Sequence, residues 1–249
     1  MTQNQEMKMQ LLKEFGISND KKSVDFCREA YDFLIEDESV FSASHETAVS
    51  DKPLAIDLGL PSGTLWCDRN VCAKSPEDYG AFFSWGNIEP HFPNKENMDW
   101  GDDDYAFDYK FSSENYKQTP GYKLEGDIDL EHDAARVNMG EPWQMPTSEQ
   151  MQELFDNCTW TRKNLNGVNG YLVTSKINGN SIFFACSGNG FGTSWSNRGS
   201  NGYYWSSSLY SATNGRLLYF YSGGVYPQND YGRFYGFAVR AVQKIVHQK

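Results

Sequence analysis

Five cysteines (Cys27, Cys67, Cys72, Cys158, Cys186) and four histidines (His45, His91, His132, His247) are the chain's conventional nucleophiles, bases and soft metal ligands. Their spacing argues against chemistry. Zinc sites draw on close-set Cys and His pairs, whereas Cys67 and Cys72 are separated by four residues with no histidine near them. An odd number of scattered thiols is no disulfide framework, so reduced, buried thiols are expected. No histidine accompanies a nucleophile in a recognisable motif. The glycines after residue 186 alternate with Ser, Asn and aromatics rather than joining a strand to a helix as a phosphate-cradling loop does. Asp99, Asp102, Asp103, Asp104 and Asp108 offer oxygen ligands but not the order of a calcium loop, and the spacing favours a solvated acidic loop. The expectation is no catalytic residue, no metal and no cofactor.

A different chemistry is concentrated in residues 187–235. Aromatic residues recur there with Arg198, Arg216 and Arg233 among them, and Gly, Ser and Asn fill most other places. Between Lys176 and Lys244 the chain has no lysine, glutamate or methionine. Tyr, Ser, Gly and Asn with occasional Trp and Arg is the composition of a paratope: tyrosine gives a large amphipathic contact for two torsions, and Ser and Asn supply adaptable hydrogen bonds. Lysine and glutamate are depleted from interfaces because ordering and desolvating them is costly. The candidate ligand-binding residues are Asn189, Thr193, Asn197, Arg198, Asn201, Tyr210, Thr213, Asn214, Arg216, Tyr219, Tyr221, Tyr226, Asn229, Asp230, Tyr231 and Arg233, with Trp195 as an anchor. An aromatic core with small-residue turns is the competing reading. Tyr204-Trp205-Ser206 and Phe237-Ala238-Val239 read as core strands, and if Leu218 and Phe220 point inward, Leu217, Tyr219 and Tyr221 share the outer face. The binding residues are then expected in the loops between strands.

The elements that must hold this surface are short. Residues 1–50 read as two amphipathic helices (Gln5 to Phe15, then a second carrying Val24, Cys27, Tyr31, Leu34 and Ile35), and Glu36 to Asp51 as a linker. From Pro53 the character changes to short strands and glycine turns: Leu54–Leu58, Thr64–Cys67 and Ala81–Gly86. Residues 94–127 read as surface loops. Thr147 and Gln150 have capping-box spacing ahead of Met151, Leu154, Phe155 and Cys158, which predicts a helix. Asn178-Gly179 between Tyr171–Thr174 and Ile182–Ala185 predicts a hairpin. Three more strands are expected at Tyr203–Ser207, Leu217–Tyr221 and Phe237–Val242. The fold class is α+β, with short antiparallel strands, few helices and many loops.

The formal net charge of −11 hides a division. Residues 155–249 carry nine Lys and Arg against two aspartates, leaving 13 basic and 31 acidic residues for 1–154. An acidic balance argues against a nucleic-acid partner, and the absence of a long apolar run against membrane insertion. No basic n-region with an apolar stretch opens the sequence, so a phage virion or cytoplasmic setting is expected over a secreted one.

Ala55 to Trp66 (Ala-Ile-Asp-Leu-Gly-Leu-Pro-Ser-Gly-Thr-Leu-Trp), Pro76 to Gly80, Trp143 to Thr147, Gly202 to Ser208 and Tyr235 to Arg240 resemble, in that order, the landmarks of a paralogous domain family of Bacteroidetes and their phages. That family is similar to the formylglycine-generating-enzyme type of C-type lectin fold, and some members are variable proteins of diversity-generating retroelements. The resemblance spans residues 53–243 and implies a C-type lectin-like ligand-binding domain preceded by a helical segment at 1–50. It further implies a region, about 187–235, rewritten at adenines. Randomising Asn-type codons in this way cannot yield Lys, Glu, Gln, Met or Trp, so Gln228, Trp195 and Trp205 would be fixed. Two departures bear on activity. Gln144 stands where the family usually has arginine, and the carboxy-terminal cysteine pair of the oxidase branch is missing. The implied function is non-enzymatic, receptor- or adhesin-like binding of a macromolecular ligand, a protein or a cell-surface component, with homo-oligomerisation through the N-terminal helices. A formylglycine-generating-like oxidase and an aromatic-platform carbohydrate-binding module are the alternatives.

Overall fold

In the computed structural model the chain divides into two compact units, Met1–Val49 and Ser50–Lys249, and residues 52–94 and 106–244 are described. The expected N-terminal helices, and Asp99, Asp102, Asp103 and Asp104 of the acidic run, lie outside the described residues.

The described part is built mostly of antiparallel sheet with few helices. β1 (Ala55–Asp57), β2 (Thr64–Asn70) and β14 (Arg240–Lys244) form one three-stranded sheet, which closes the two ends of the domain on each other. A second carries β6 (Cys158–Leu165), β7 (Val168–Ser175) and β8 (Ser181–Ala185). The β7–β8 hairpin pairs as expected, with Gly179 of the turn at φ +80. A third joins β4 (Pro93–Asn94), β5 (Ala106–Phe111) and β9 (Asn189–Ser196).

The centre is a five-stranded sheet in the order β12 (Gly224–Gly232), β11 (Asn214–Tyr221), β10 (Gly202–Leu209), β13 (Phe237–Ala238) and β3 (Phe82–Phe83). The helices are α1 (Ser113–Tyr116), a 3-10 turn (Pro120–Lys123), α2 (Ala134–Met139) and α3 (Ser148–Asn157). At the start of α3 the Thr147 hydroxyl accepts from the Gln150 amide at 3.3 Å, and the Gln150 side chain accepts from the Thr147 amide at 2.9 Å. This is the reciprocal cap that the spacing predicts.

Strand alternation in the central sheet sorts side chains into two cores. Tyr204, Leu218 and Phe220 join Met151 and Leu154 of α3, Val173 and Phe184 of the hairpin, and Trp66. Tyr203, Trp205, Leu217 and Phe237 face the other way, onto Trp85, Trp143 and Met145. The assignment of Leu217 to an outer face is therefore corrected: Leu217 and Leu218 are both 0% exposed, because the sheet is covered on both sides at that point. Residues 94–127 are corrected too. Phe107 and Phe111 of β5 are buried in a third cluster with Phe82 while Asp108 and Lys110 are exposed, so a period-2 strand sits inside a polar composition.

Candidate binding surface

The tract carries more strand than the sequence predicts. The expected strands Tyr203–Ser207 and Leu217–Tyr221 are β10 and β11, while β9 and β12 are additional, in segments that read as loops because Gly, Ser and Asn give poor strand signals. Most of the candidate residues accordingly stand on sheet, with Asn197, Arg198, Asn201, Tyr210, Thr213 and Arg233 in the connections.

Registers and ring contacts divide them. Tyr203 opposes Tyr219 across β10–β11, and Tyr219 opposes Tyr226 across β11–β12. From this pair aromatic rings run in both directions. Tyr219, Tyr221 and Tyr226 lie with centroids 5.7–6.0 Å apart and planes 6–21° from parallel. Tyr203 stacks on Phe237 at 5.0 Å, and Tyr231 meets Tyr203 at 6.2 Å and Tyr235 at 4.6 Å. Tyr235 stacks on Phe191 at 5.1 Å and contacts Phe234 at 4.5 Å. The result is a continuous ledge whose floor, Tyr203 and Phe237, is buried and whose crest, Tyr226, Tyr231 and Phe191, is exposed.

Amides hold the ledge. Asn201 Nδ2 donates to the hydroxyls of Tyr203 and Tyr219, each at 3.2 Å, and Asn197 Nδ2 donates to Asn189 Oδ1 at 2.9 Å. Burial, together with the phenols of Tyr203, Tyr221 and Tyr226, pushes the Tyr219 hydroxyl up to about 12. The hydrogen bond with Tyr221 raises Tyr226. These phenols stay neutral and keep both donor and acceptor capacity at any ordinary pH.

A second group lies on the opposite face of the same sheet, towards α3. Arg216 opposes Asp230 in register; the Arg216 guanidinium sits 4.9 Å over the Tyr210 ring, and Asn214 Nδ2 donates to Asp230 at 2.7 Å. Thr193 is exposed on β9, and Thr213 is exposed in the turn before β11. Trp195 faces inward, donating to the Ser187 carbonyl at 2.7 Å and packing edge-on to Tyr79 and Phe82, while Arg198 lies 5.0 Å over its ring. It anchors β9 to the domain.

Two candidates do not belong to a surface at all. Arg233 is 2% exposed. Its guanidinium donates to the Tyr116 hydroxyl at 2.9 Å and to the carbonyls of Leu124, Ala212 and Gly121, over the Trp85 ring at 4.5 Å. A buried cation needs acceptors of this kind, and these four bonds within the fold hold Arg233 away from any ligand. Asn189 is buried at 7% and serves Asn197. Phe191, Phe234 and Tyr235 stand outside the candidate residues yet complete the ledge; Phe191 lies alone between Gly190 and Gly192, with no periodicity to mark it.

No family model matches the chain, and no curated protein or solved structure matches it. The chemistry of the surface rests on its own geometry. Thiol chemistry finds no support in that geometry: Cys67, Cys158 and Cys186 are buried, burial pushes Cys67 and Cys158 up to about 11, and it raises Cys186. A reactive thiol needs the opposite displacement. Among the described residues no group of three or more His, Cys, Asp or Glu side chains stands close enough to hold a metal ion.

Where the chain can move is limited by glycines set against rings. A Cβ at Gly202 would run into Phe220, and one at Gly215 would run into the Trp85 indole. The β10–β11 pair under the ledge closes only because these two positions carry no side chain.

Proposed function

We propose that the protein is a non-enzymatic receptor on a C-type lectin-like scaffold, and that the aromatic ledge of β10, β11, β12 and Phe191 is its ligand-binding surface. The observation that carries this is the ledge itself: tyrosine rings in continuous contact, crested by exposed Tyr226 and Tyr231, in a tract without lysine or glutamate. A free protein gains little by leaving such an apolar run open to water, and ordered aromatic anchors backed by a packed sheet are what tight interfaces use. The partner in this reading is a macromolecule, a protein or a cell-surface component.

The retroelement reading belongs to the same proposal. The exposed or half-buried Tyr, Asn, Arg and Asp at Asn197, Arg198, Asn201, Tyr219, Tyr221, Tyr226, Asn229, Asp230 and Tyr231 are residues that adenine-directed rewriting of Asn-type codons reaches. Asn189 and Arg233 are held by burial and would be constant. Sequencing this gene from sibling loci tests the proposal. Substitutions confined to the exposed positions support a diversified receptor; substitutions scattered through the cores, or a gene neighbourhood with no reverse transcriptase and no near-copy of the 3′ end, overturn the diversification.

A further inference from the structure

Tyr219, Tyr221 and Tyr226 share an open groove of about 630 Å³ with Gln152, Val225, Pro227, Gln228 and Asn229. No charged side chain lines it. The groove exists because β12 bulges: Tyr219 opposes Tyr226 but Leu217 opposes Asn229, so Pro227 and Gln228 are an extra step in the edge strand. Two consequences meet there. The three near-parallel rings line the groove together with the side-chain amides of Gln152, Gln228 and Asn229, of which Gln228 Nε2 donates to the Ser148 carbonyl and Gln152 Nε2 to Asp156.

Resting on the receptor reading above, we propose that this groove takes a neutral pyranose unit of a glycan, bound without calcium. A sugar ring has an apolar face of C–H groups and an equatorial belt of hydroxyls. Near-parallel aromatic planes match the first, and uncharged groups that both donate and accept match the second. The Tyr219 phenol, whose titration burial displaces upward, belongs with the amides in that role. An uncharged lining gives nothing to compensate a buried carboxylate, which disfavours uronates and sialic acids. Cross-strand tyrosine packing also stabilises a bare sheet. That role does not account for a groove lined with amides, nor for Tyr226 being 44% exposed on the edge strand.

The test is binding of the full chain, in EDTA, to a panel of neutral gluco-, manno- and galacto-oligosaccharides and to sialylated and uronate-containing ones, followed by calorimetric titration of the hits. The expected result is weak binding of neutral members. Tyr226→Ala should weaken it about tenfold while Tyr226→Phe keeps it, because a stacking face survives in Phe. Thermal unfolding within a degree or two of the parent for both variants shows that the fold is intact. Binding that needs calcium, preference for acidic sugars, no neutral hit on the panel, or an unchanged affinity in Tyr226→Ala each overturns the glycan assignment. The receptor reading fails separately, on the sibling sequences: diversified exposed positions with no glycan bound leave a receptor whose ligand is a protein.

Discussion

Arg233 and Tyr231 are two residues apart in one tract of unusual composition, yet they end in opposite environments. Tyr231 stands on the crest of the ledge, and Arg233 is sunk among carbonyls at the foot of Trp85. The same contrast holds between Arg216, out over Tyr210, and Arg240, which is 0% exposed and donates to Asn70 and to the carbonyls of Cys67, Asp68 and Phe183. Absence of lysine and glutamate thus marks two different things. On the ledge, in the receptor reading proposed above, it spares a contact surface the cost of desolvating long charged chains. Beneath the ledge it leaves only arginine, whose planar fork satisfies several carbonyls at once, to tie loops to strands. Of the positive charge in this half of the chain, Arg233 and Arg240 never reach solvent, so the ledge is closer to neutral than residue counting suggests.

The contrast breaks first if the buried arginines are dispensable. Arg240→Ala or Arg233→Ala strands several buried acceptors, and a loss of about 3–5 kcal/mol is expected in urea unfolding, enough to unfold a marginal domain. Next comes Leu217→Ala, at the buried end of the strand pair that forms the ledge: about 2–4 kcal/mol, against less than about 0.5 kcal/mol for Tyr231→Ala on the exposed crest. Equal losses at the two positions would show that the ledge is core.

Alkaline pH gives a smaller, graded measure. Burial pushes the Tyr116 hydroxyl, which accepts from Arg233, up to about 12, as it does Tyr219. A phenol whose folded pKa exceeds its unfolded value holds its proton longer in the native state, so its stabilisation is complete below pH 10 and is lost between pH 10 and about 12. The loss is on the order of 2 kcal/mol for Tyr116 and less for half-exposed Tyr219, where solvent screens the effect. Absorbance at 295 nm should show phenols titrating late and together with unfolding; ionisation of every tyrosine near pH 10 in the folded protein refutes the packing. The smallest effect concerns thiols. A disulfide reagent at pH 8 should modify exposed Cys72 and leave Cys67, Cys158 and Cys186 until denaturant is added, as mass mapping of the labelled peptides will show.

Local chemistry made part of this legible in advance. Asn178-Gly179 and the Thr147–Gln150 cap announce their elements because turn and cap geometry depend on side chains within a few residues. β9 and β12 were invisible for the converse reason: pairing with distant strands, not intrinsic preference, holds these glycine- and asparagine-containing segments extended. The aromatic composition pointed to Tyr219, Tyr221, Tyr226 and Tyr231. Alternation with Leu218 and Phe220 puts Asn214 and Arg216 on the other side of the sheet, but it does not place Asp230, because the bulge at Pro227–Gln228 shifts the register of β12. Nor does any spacing distinguish Arg233 from Arg198. A cation solvated by main-chain carbonyls leaves no partner in the sequence to be recognised.

Gly202 and Gly215 give the ledge a property of its own. With rings pressed against both positions, neither tolerates even a methyl group, while exposed neighbours such as Thr213 and Tyr226 stand outside the cores. The tract behaves like a stencil: openings where the alphabet is free, bars where it is fixed. A combinatorial library cut to that stencil would keep most of its members folded, and one that ignored it would spend its diversity on proteins that never reach the ligand.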